Sequence, residues 1–243
     1  MGTRDLALVA VIIALGSVVQ GISGFGFALV TMPLLSALLG VERALAIETI
    51  LGIVSNATTA WTARTDILRP TAARLLGATV VGMPIGWFIL EHVAAKPLKL
   101  MVGAVVGVLA VLLAFHVRIT ATGLGVDLVS GFFSGVLATS TGTNGPPLVI
   151  GLSGRRLPAA QQRATLSTVF TIGNVFVLGL LLSSGRVTRL VLEGAAVALP
   201  GMMLAWWLGD RLFARLDQHR YERLVIILLL ASAAVAIISA LLR

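Results

Sequence analysis

Long apolar runs, separated by short charged or Pro/Gly turns, dominate the chain. We predict ten apolar helical segments, at residues 5–20, 26–39, 43–63, 70–91, 97–116, 123–138, 146–153, 157–182, 188–209 and 219–242. A helix that rises about 1.5 Å per residue needs about 20 residues to cross the bilayer core. The third to fifth segments of each half reach or approach that length, whereas the first two of each half fall short. We therefore predict that the short segments are half-helices or re-entrant pieces.

Glycine-rich polar stretches interrupt this apolar pattern once in each half of the chain. The first is Gly21-Ile-Ser-Gly-Phe-Gly-Phe27, and the second is Thr139-Ser-Thr-Gly-Thr-Asn-Gly-Pro-Pro147. An offset of 114 residues aligns Gly21 with Gly135 and also Pro33 with Pro147. Paired interruptions of corresponding hydrophobic segments are typical of the binding site of a transporter.

The two halves, residues 1–118 and 119–243, resemble a tandem duplication within one integral membrane domain. Pro84 matches Pro200, and Asn56 matches Asn174 at an offset of 118. Each half holds an odd number of full spans, three or, if the short segments cross, five, which inverts the second repeat in the membrane. We predict an all-α polytopic membrane protein of two inverted repeats. Each repeat has a broken or re-entrant helical pair followed by three spanning helices.

The composition agrees with a membrane protein and excludes several other classes. The chain is 58% hydrophobic and 12% charged, whereas about a quarter of the residues of a soluble domain are charged. The net charge of +8 is assigned to cytoplasmic loops and not to nucleic-acid binding. Cysteine is absent, which excludes disulfides and cysteine-based metal sites.

The distribution of basic residues predicts the orientation of the protein in the membrane. Eleven of the 18 Lys and Arg residues fall on one side of the predicted topology, including Arg74, Arg155 and Arg163. The remaining seven, including Arg186, fall on the other side. The side with the larger number should be cytoplasmic. We therefore expect a cell inner-membrane protein with both termini outside the cytoplasm.

The second glycine-rich stretch has the features of an anion site. Pro146 and Pro147 suit the first turn of a new helix, and Thr143-Asn144-Gly145 can cap it with side-chain oxygens and backbone amides. Helix starts carry a partial positive charge and unpaired N–H groups. Two such starts that meet near the bilayer midplane would bind an oxyanion. The alternative is a helical hairpin or kink that packs on its glycines without a ligand.

We expect both stretches to contribute contacts to the anion. Asn56 and Asn174, deep inside their segments, are expected as supporting polar groups, although buried amides in membranes also bond across helices. The other expected contacts are Ser23, Gly24, Phe25, Gly26 and Phe27 from the first stretch, and Thr139, Ser140, Thr141, Thr143, Asn144 and Gly145 from the second.

Two ionisable residues near these stretches each have two interpretations. Glu48 lies about a turn and a half into its segment, where a carboxylate is functional by default and could carry a proton coupled to transport. The alternative is an acid that caps a helix or snorkels to the interface. Arg163 either attracts anions at a vestibule or anchors the cytoplasmic end of its helix.

Some sequence motifs of the chain match enzymes, but the chain lacks the other residues that such enzymes need for catalysis. Gly21-Ile-Ser-Gly24 and Gly151-Leu-Ser-Gly154 match the Gly-x-Ser-Gly pattern of intramembrane serine proteases, but a nucleophilic serine needs a neighbouring base. His92, His116 and His219 fall in predicted loops or at segment ends and form no metal cluster. The chain has no phosphate-binding Gly-x-x-x-x-Gly-Lys motif. We expect no enzyme, no cofactor and no metal.

Three parts of the chain resemble the sulfite exporter TauE/SafE family, also called the TSUP permeases. These are the stretch 21–35, the element Gly142-Thr-Asn-Gly-Pro-Pro-Leu148, and Arg163-Ala-Thr-Leu-Ser167 followed by Gly173-Asn174. The resemblance covers essentially the whole chain. It implies transport of sulfite, sulfoacetate or related sulfur-containing anions without ATP hydrolysis, by a secondary carrier or facilitator. Members commonly have more glycine at these positions, so the departures at Phe25 and Phe27 leave the particular substrate open.

Other functions remain compatible with this sequence. An anion channel of the same architecture is one alternative, and a non-transporting membrane assembly factor is another. The small anion and the lipid bilayer are the expected partners, with protons as the coupling ion that Glu48 would serve. A homo-oligomer is compatible with the sequence.

Overall fold

A computed structural model of the chain describes residues 2–115, 121–155 and 157–213, together with single positions between 227 and 241. These residues form helices and their connections, and none of them forms a strand. The helices are α1 (Thr3–Ser23), α2 (Phe27–Leu39), α3 (Val41–Thr62), α4 (Arg69–His92), α5 (Ala95–Ala114), α6 (Leu124–Ser140), α7 (Gly145–Ser153), α8 (Ala159–Ser183) and α9 (Arg189–Phe213). The tenth predicted segment, 219–242, lies mostly outside the described residues.

Four of these helices are long and apolar enough to cross a membrane. They are Thr3–Gly21 within α1, and Arg69–His92, Ala160–Ser183 and Arg189–Arg211 within α4, α8 and α9. The prediction that the first segment is too short to span was wrong. α1 continues through Gln20 and Gly21 to Ser23, because the polar Gln20 side chain finds hydrogen-bond partners inside the protein.

Each glycine-rich stretch forms the turn of an antiparallel helical hairpin. Gly16 in α1 packs against Thr31 in α2, and Gly24 in their turn has a φ of 79°. Gly151 in α7 packs against Ser130 in α6. Gly142 in that turn has a φ of 69°, in the left-handed region that glycine adopts without strain.

α3 and α8 lie side by side in antiparallel directions. Gly52, in the middle of α3, faces the amide of Asn174 in α8. Leu68, shortly after the end of α3, donates its backbone N–H to Thr165 Oγ1 near the start of α8 at 3.1 Å. The α1–α2 hairpin leads into α3 and the α6–α7 hairpin leads into α8, so the two hairpins enter the protein from opposite faces.

Ion pairs lie at two opposite faces of the protein, which we call the Arg186 face and the Arg155 face. At the Arg186 face, the guanidinium of Arg186 lies 3.5 Å from the carboxylate of Glu42 and 3.6 Å from that of Glu91. At the opposite Arg155 face, Asp127 accepts a hydrogen bond from Arg74 Nε at 2.9 Å and another from Arg155 Nη2. The predicted topology places these arginines on the same two sides.

The helix pairs of the two halves correspond to one another. α4 packs along α6, and α1 packs along α9. α4 also contacts α8, and α9 contacts α3. If α1, α2, α3 and α4 are matched with α6, α7, α8 and α9, the pair α4–α6 corresponds to the pair α9–α1. The pair α4–α8 then corresponds to the pair α9–α3. Glycines allow the close approach of α4 and α6, since a Cβ at Gly86 would overlap the carbonyl oxygen of Val136.

Asp127→Asn should lower the free energy of unfolding by about 3 kcal/mol, the usual effect of removing one partner of a buried ion pair. The Asp127 side chain is 0% exposed and that of Arg155 is 16% exposed, so the substitution leaves a largely buried guanidinium without its counter-charge. Unfolding of the purified protein in detergent measures the effect.

The matched control for this substitution is Glu193→Gln. Glu193 pairs with Arg189 at 2.9 Å, but the Arg189 side chain is 92% exposed. Removal of such an exposed pair should change the free energy of unfolding by less than about 0.5 kcal/mol. An equally small change in Asp127→Asn would contradict the structural role of Asp127.

Candidate functional site

The turns of the two hairpins meet at a small cavity between α3 and α8, and most of its lining residues are buried. Its volume is about 10 Å³, enough for one water molecule. A methyl group at Gly145 would touch the carbonyl oxygen of Phe25, so the two turns are in contact. Both hairpins and both central helices line the cavity, with Gln20, Phe25, Phe27, Ala28, Glu48, Asn56, Asn144, Phe170 and Asn174.

Four side-chain amides and one carboxyl group form the polar part of the lining. Gln20, Asn56, Asn144, Asn174 and Glu48 are all buried. Within the described part of the chain, no arginine, lysine or histidine lines the cavity. An anion in this place would meet side-chain amides and the positive ends of two helix dipoles, without a counter-charge.

Gln20 connects the first turn to α3. Its Oε1 accepts the backbone N–H of Phe27 at 3.0 Å. Its Nε2 donates to the carbonyl oxygen of Gly24 at 3.0 Å and to Asn56 Oδ1 at 2.9 Å. Phe27 is the first residue of α2, so the Gln20 side chain, which belongs to α1, caps the N-terminus of α2. Gln20 is missing from the predicted site residues, although an amide inside an apolar segment is a signal that could have identified it.

The rest of the first stretch divides between lining and shaping the cavity. Phe25 and Phe27 line it, as does Asn56 from α3. Gly24 forms the left-handed turn, and Gly26 precedes the first residue of α2. Ser23 ends α1, but its side chain lies outside the described part of the structure.

The hydroxyl groups of the second stretch bond to the protein itself. Thr139, Ser140 and Thr141 donate to backbone carbonyl oxygens at 2.6 to 3.2 Å. Thr143 Oγ1 lies 2.7 Å from Thr141 Oγ1. None of the four is among the residues that the structure brings to the cavity. Asn144 lines it, and Gly145 contacts the first turn beside it.

Asn144 precedes α7 as predicted, but the predicted side-chain cap was wrong. Among the described residues, the Asn144 side chain makes no capping hydrogen bond. A capping side chain bonds to the N–H groups of the second or third helical residue. In α7 these residues are Pro146 and Pro147, which have no N–H. The amide of Asn144 lines the cavity instead.

Glu48 lies in the protein interior. Its side chain is buried, and a Cβ at Gly52 would lie 3.1 Å from Glu48 Oε1 and 2.8 Å from Asn174 Nδ2. This position contradicts the alternative of an interfacial acid. The other polar groups that line the cavity with Glu48 are neutral amides.

Arg163 contacts the first turn and is anchored at the end of α9. Its Nη2 donates to Asp210 Oδ1 at 3.0 Å. Its aliphatic carbons pack against Gly24, where any side chain would collide with them. In the described part of the chain, no group of three His, Cys, Asp or Glu side chains is placed to hold a metal ion.

Comparisons with known proteins show that the chain is similar to proteins described as exporters. A family model described as Sulfite exporter TauE/SafE matches residues 8–236. A protein of Cupriavidus necator named "Probable sulfite/organosulfonate exporter TauE" is 28% identical over 205 residues, which are 81% of this chain and 79% of that protein. No solved structure matches the chain.

Proposed function

Because the chain belongs to the sulfite exporter TauE/SafE family, we propose that it is a secondary transporter of a sulfur-containing oxyanion or organosulfonate, such as sulfite or sulfoacetate. The substrate binds between the turns of the two hairpins. The observation that carries this proposal is the buried cavity in which both turns meet the matched Asn56 and Asn174. Side-chain amides and the positive ends of helix dipoles are suitable partners for an oxyanion in a cavity that no cation lines among the described residues.

The size of the cavity agrees with a carrier between its two open conformations. A volume of about 10 Å³ holds a water molecule but not a sulfite ion, so substrate binding requires the two turns to separate. A carrier passes through such a closed conformation between its two open ones. An anion channel of the same architecture would show unitary currents in a planar bilayer, whereas a carrier would not.

The proposal includes two inverted repeats, residues 1–118 and 119–243. Three features support the inversion: α3 and α8 are antiparallel, the hairpins enter from opposite faces, and the helix pairs exchange between the halves. In this arrangement the Arg155 face is cytoplasmic, because it carries more basic residues. Both termini then lie outside the cytoplasm of a cell inner membrane.

Purified protein in liposomes tests the proposed function directly. We expect flux of sulfite, sulfoacetate or both from a panel that also contains sulfate and taurine. A non-transporting assembly factor predicts no flux of any of these compounds together with retained partner binding. Flux of none of the four would contradict the proposal.

Asn144→Ala should lower sulfite flux about tenfold or more, since a hydrogen bond to a charged group contributes about 1.5–3 kcal/mol. Asn144→Asp has nearly the same shape but adds a negative charge that repels the substrate, and it should lower flux further. The same liposome assay measures both variants.

Thr58→Ala is the control for these two variants. Thr58 lies half-buried in α3, where its hydroxyl donates to the carbonyl oxygen of Val54 at 2.8 Å, away from the residues that line the cavity. It should keep the flux of the unaltered protein. Unaltered flux in Asn144→Asp would remove Asn144 from the site.

A further inference from the structure

Two buried hydroxyl groups, of Thr49 in α3 and Ser167 in α8, take no part in the site described so far. Both residues are 0% exposed, and neither hydroxyl finds a hydrogen-bond partner among the described residues. Helical serine and threonine can bond to the carbonyl oxygen four residues earlier, as Thr31, Thr79 and Thr171 do here. A buried hydroxyl without a partner is unfavourable, so these two hydroxyls are free to bind a partner that is present only at times.

The two hydroxyls occupy matched positions in the two halves. Thr49 and Ser167 are 118 residues apart, the same offset that relates Asn56 to Asn174. Each hydroxyl lies seven residues before its asparagine, which places the two side chains within about 20° of each other around the helix and about 10.5 Å apart along it. Each central helix thus presents an asparagine at the cavity and a hydroxyl in line with it.

The two hydroxyls lie on opposite sides of the cavity, because α3 and α8 are antiparallel. Thr49 lies toward the start of α3, where Glu42 marks the Arg186 face. Ser167 lies toward the start of α8, near the Arg155 face. The pairs Asn56–Thr49 and Asn174–Ser167 therefore extend from the central cavity in the two directions that a transported ion must take.

The aligned side chains of α3 and those of α8 lead to different kinds of residue at the two faces. One turn beyond Ser167 is Arg163, whose Nε also lacks a partner in the described part of the chain. One turn beyond Thr49 is Leu45, which is fully buried and packs with Met32 around Gly142 in the second turn. The aligned side chains of α8 thus end at the cationic Arg163, whereas those of α3 end at the apolar side chains of Leu45 and Met32.

We propose that Thr49 and Ser167 are transit contacts for the substrate oxyanion. Each hydroxyl donates a hydrogen bond to the anion after it leaves the central cavity, Thr49 on the way to the Arg186 face and Ser167 on the way to the Arg155 face. Arg163 attracts the anion at the end of the second route, and Leu45 and Met32 close the first. This inference rests on the proposed transport function.

Sulfite flux of the reconstituted full-length protein tests the inference through Thr49→Val and Ser167→Ala. Each variant should lower turnover at saturating sulfite about tenfold, as expected for the loss of one hydrogen bond to a charged group. The melting temperature should stay the same or rise, because an apolar group replaces a buried hydroxyl that has no partner. Thr49→Ser keeps the hydroxyl and should keep the turnover.

Ser55→Ala is the matched control. Ser55 is another buried hydroxyl of α3 without a partner among the described residues, but the offset of 118 pairs it with Gly173 and it lies off the line of Thr49 and Asn56. It should keep the turnover of the unaltered protein.

The experiment separates failure of this inference from failure of the proposed function. Absence of sulfite flux from the unaltered protein would contradict transport of sulfite itself. Normal turnover in both Thr49→Val and Ser167→Ala, with flux in the unaltered protein, would overturn only the transit contacts. A parallel fall of melting temperature and flux in both variants would overturn them as well, since it would show a structural role.

Discussion

Glu48→Gln should remove the dependence of anion transport on pH. Glu48 is buried at the cavity among neutral amides, so an anion that binds beside it meets any charge that Glu48 carries. Two unit charges about 5 Å apart interact by about 3 kcal/mol at an effective dielectric constant of about 20, which corresponds to roughly a hundredfold change in affinity. We therefore expect binding of the anion to favour the protonated carboxyl and a proton to accompany the substrate.

Sulfoacetate is the suitable probe for this prediction, because its acid groups stay ionised over the range in which sulfite itself takes up a proton. Flux into liposomes by the unaltered protein should increase when the pH on the substrate side falls. Glutamine is neutral at every pH, so Glu48→Gln should transport at a rate that does not depend on pH.

Glu91→Gln provides the control for the loss of a carboxylate. Glu91 lies at the Arg186 face and its side chain is 40% exposed, away from the cavity. It should keep the pH dependence of the unaltered protein. An unchanged pH dependence in Glu48→Gln would exclude Glu48 as the proton carrier.

The extents of the helices and the places of their interruptions are the parts of the fold that the sequence predicts well. Apolar runs and glycine-proline turns are local features, and α2, α3 and α7 begin and end within a few residues of the predicted segments. The offset that relates Asn56 to Asn174 identified two residues that line one cavity. A repeated polar residue in an apolar helix is visible without any knowledge of the tertiary structure.

The partners of polar side chains could not be predicted in the same way. The hydroxyl of Thr139 resembles a ligand in the sequence, but it donates to the carbonyl oxygen of Met83 at 2.7 Å, in a helix that is distant along the chain. The absence of a cap by the Asn144 side chain could have been predicted from the sequence. The two prolines after it lack the N–H groups to which a capping side chain bonds. The position of Gln20 is visible in the sequence, but its partner required the structure, since the bond to Asn56 joins residues 36 positions apart.

The side chain of Gln20 connects three parts of the site, which makes Gln20 a sensitive position. The second turn is stabilised by several short-range bonds, such as that between Thr141 and Thr143. In the first turn, the Gln20 side chain bonds to Gly24, to Phe27 and, through Asn56, to α3. One side chain thus links the start of α2, the turn and a cavity amide.

Gln20→Leu should reduce sulfite flux by about a hundredfold or more and lower the melting temperature. Leucine fills a similar volume but leaves the N–H of Phe27, the carbonyl of Gly24 and the amide oxygen of Asn56 without this partner, at about 1–3 kcal/mol for each buried group. Gln161→Leu, at the start of α8 and away from the cavity, is the control and should keep normal flux. Because the turn that Gln20 holds forms one wall of the cavity, flux within about twofold of the unaltered protein in Gln20→Leu would show that the geometry of this turn does not govern transport.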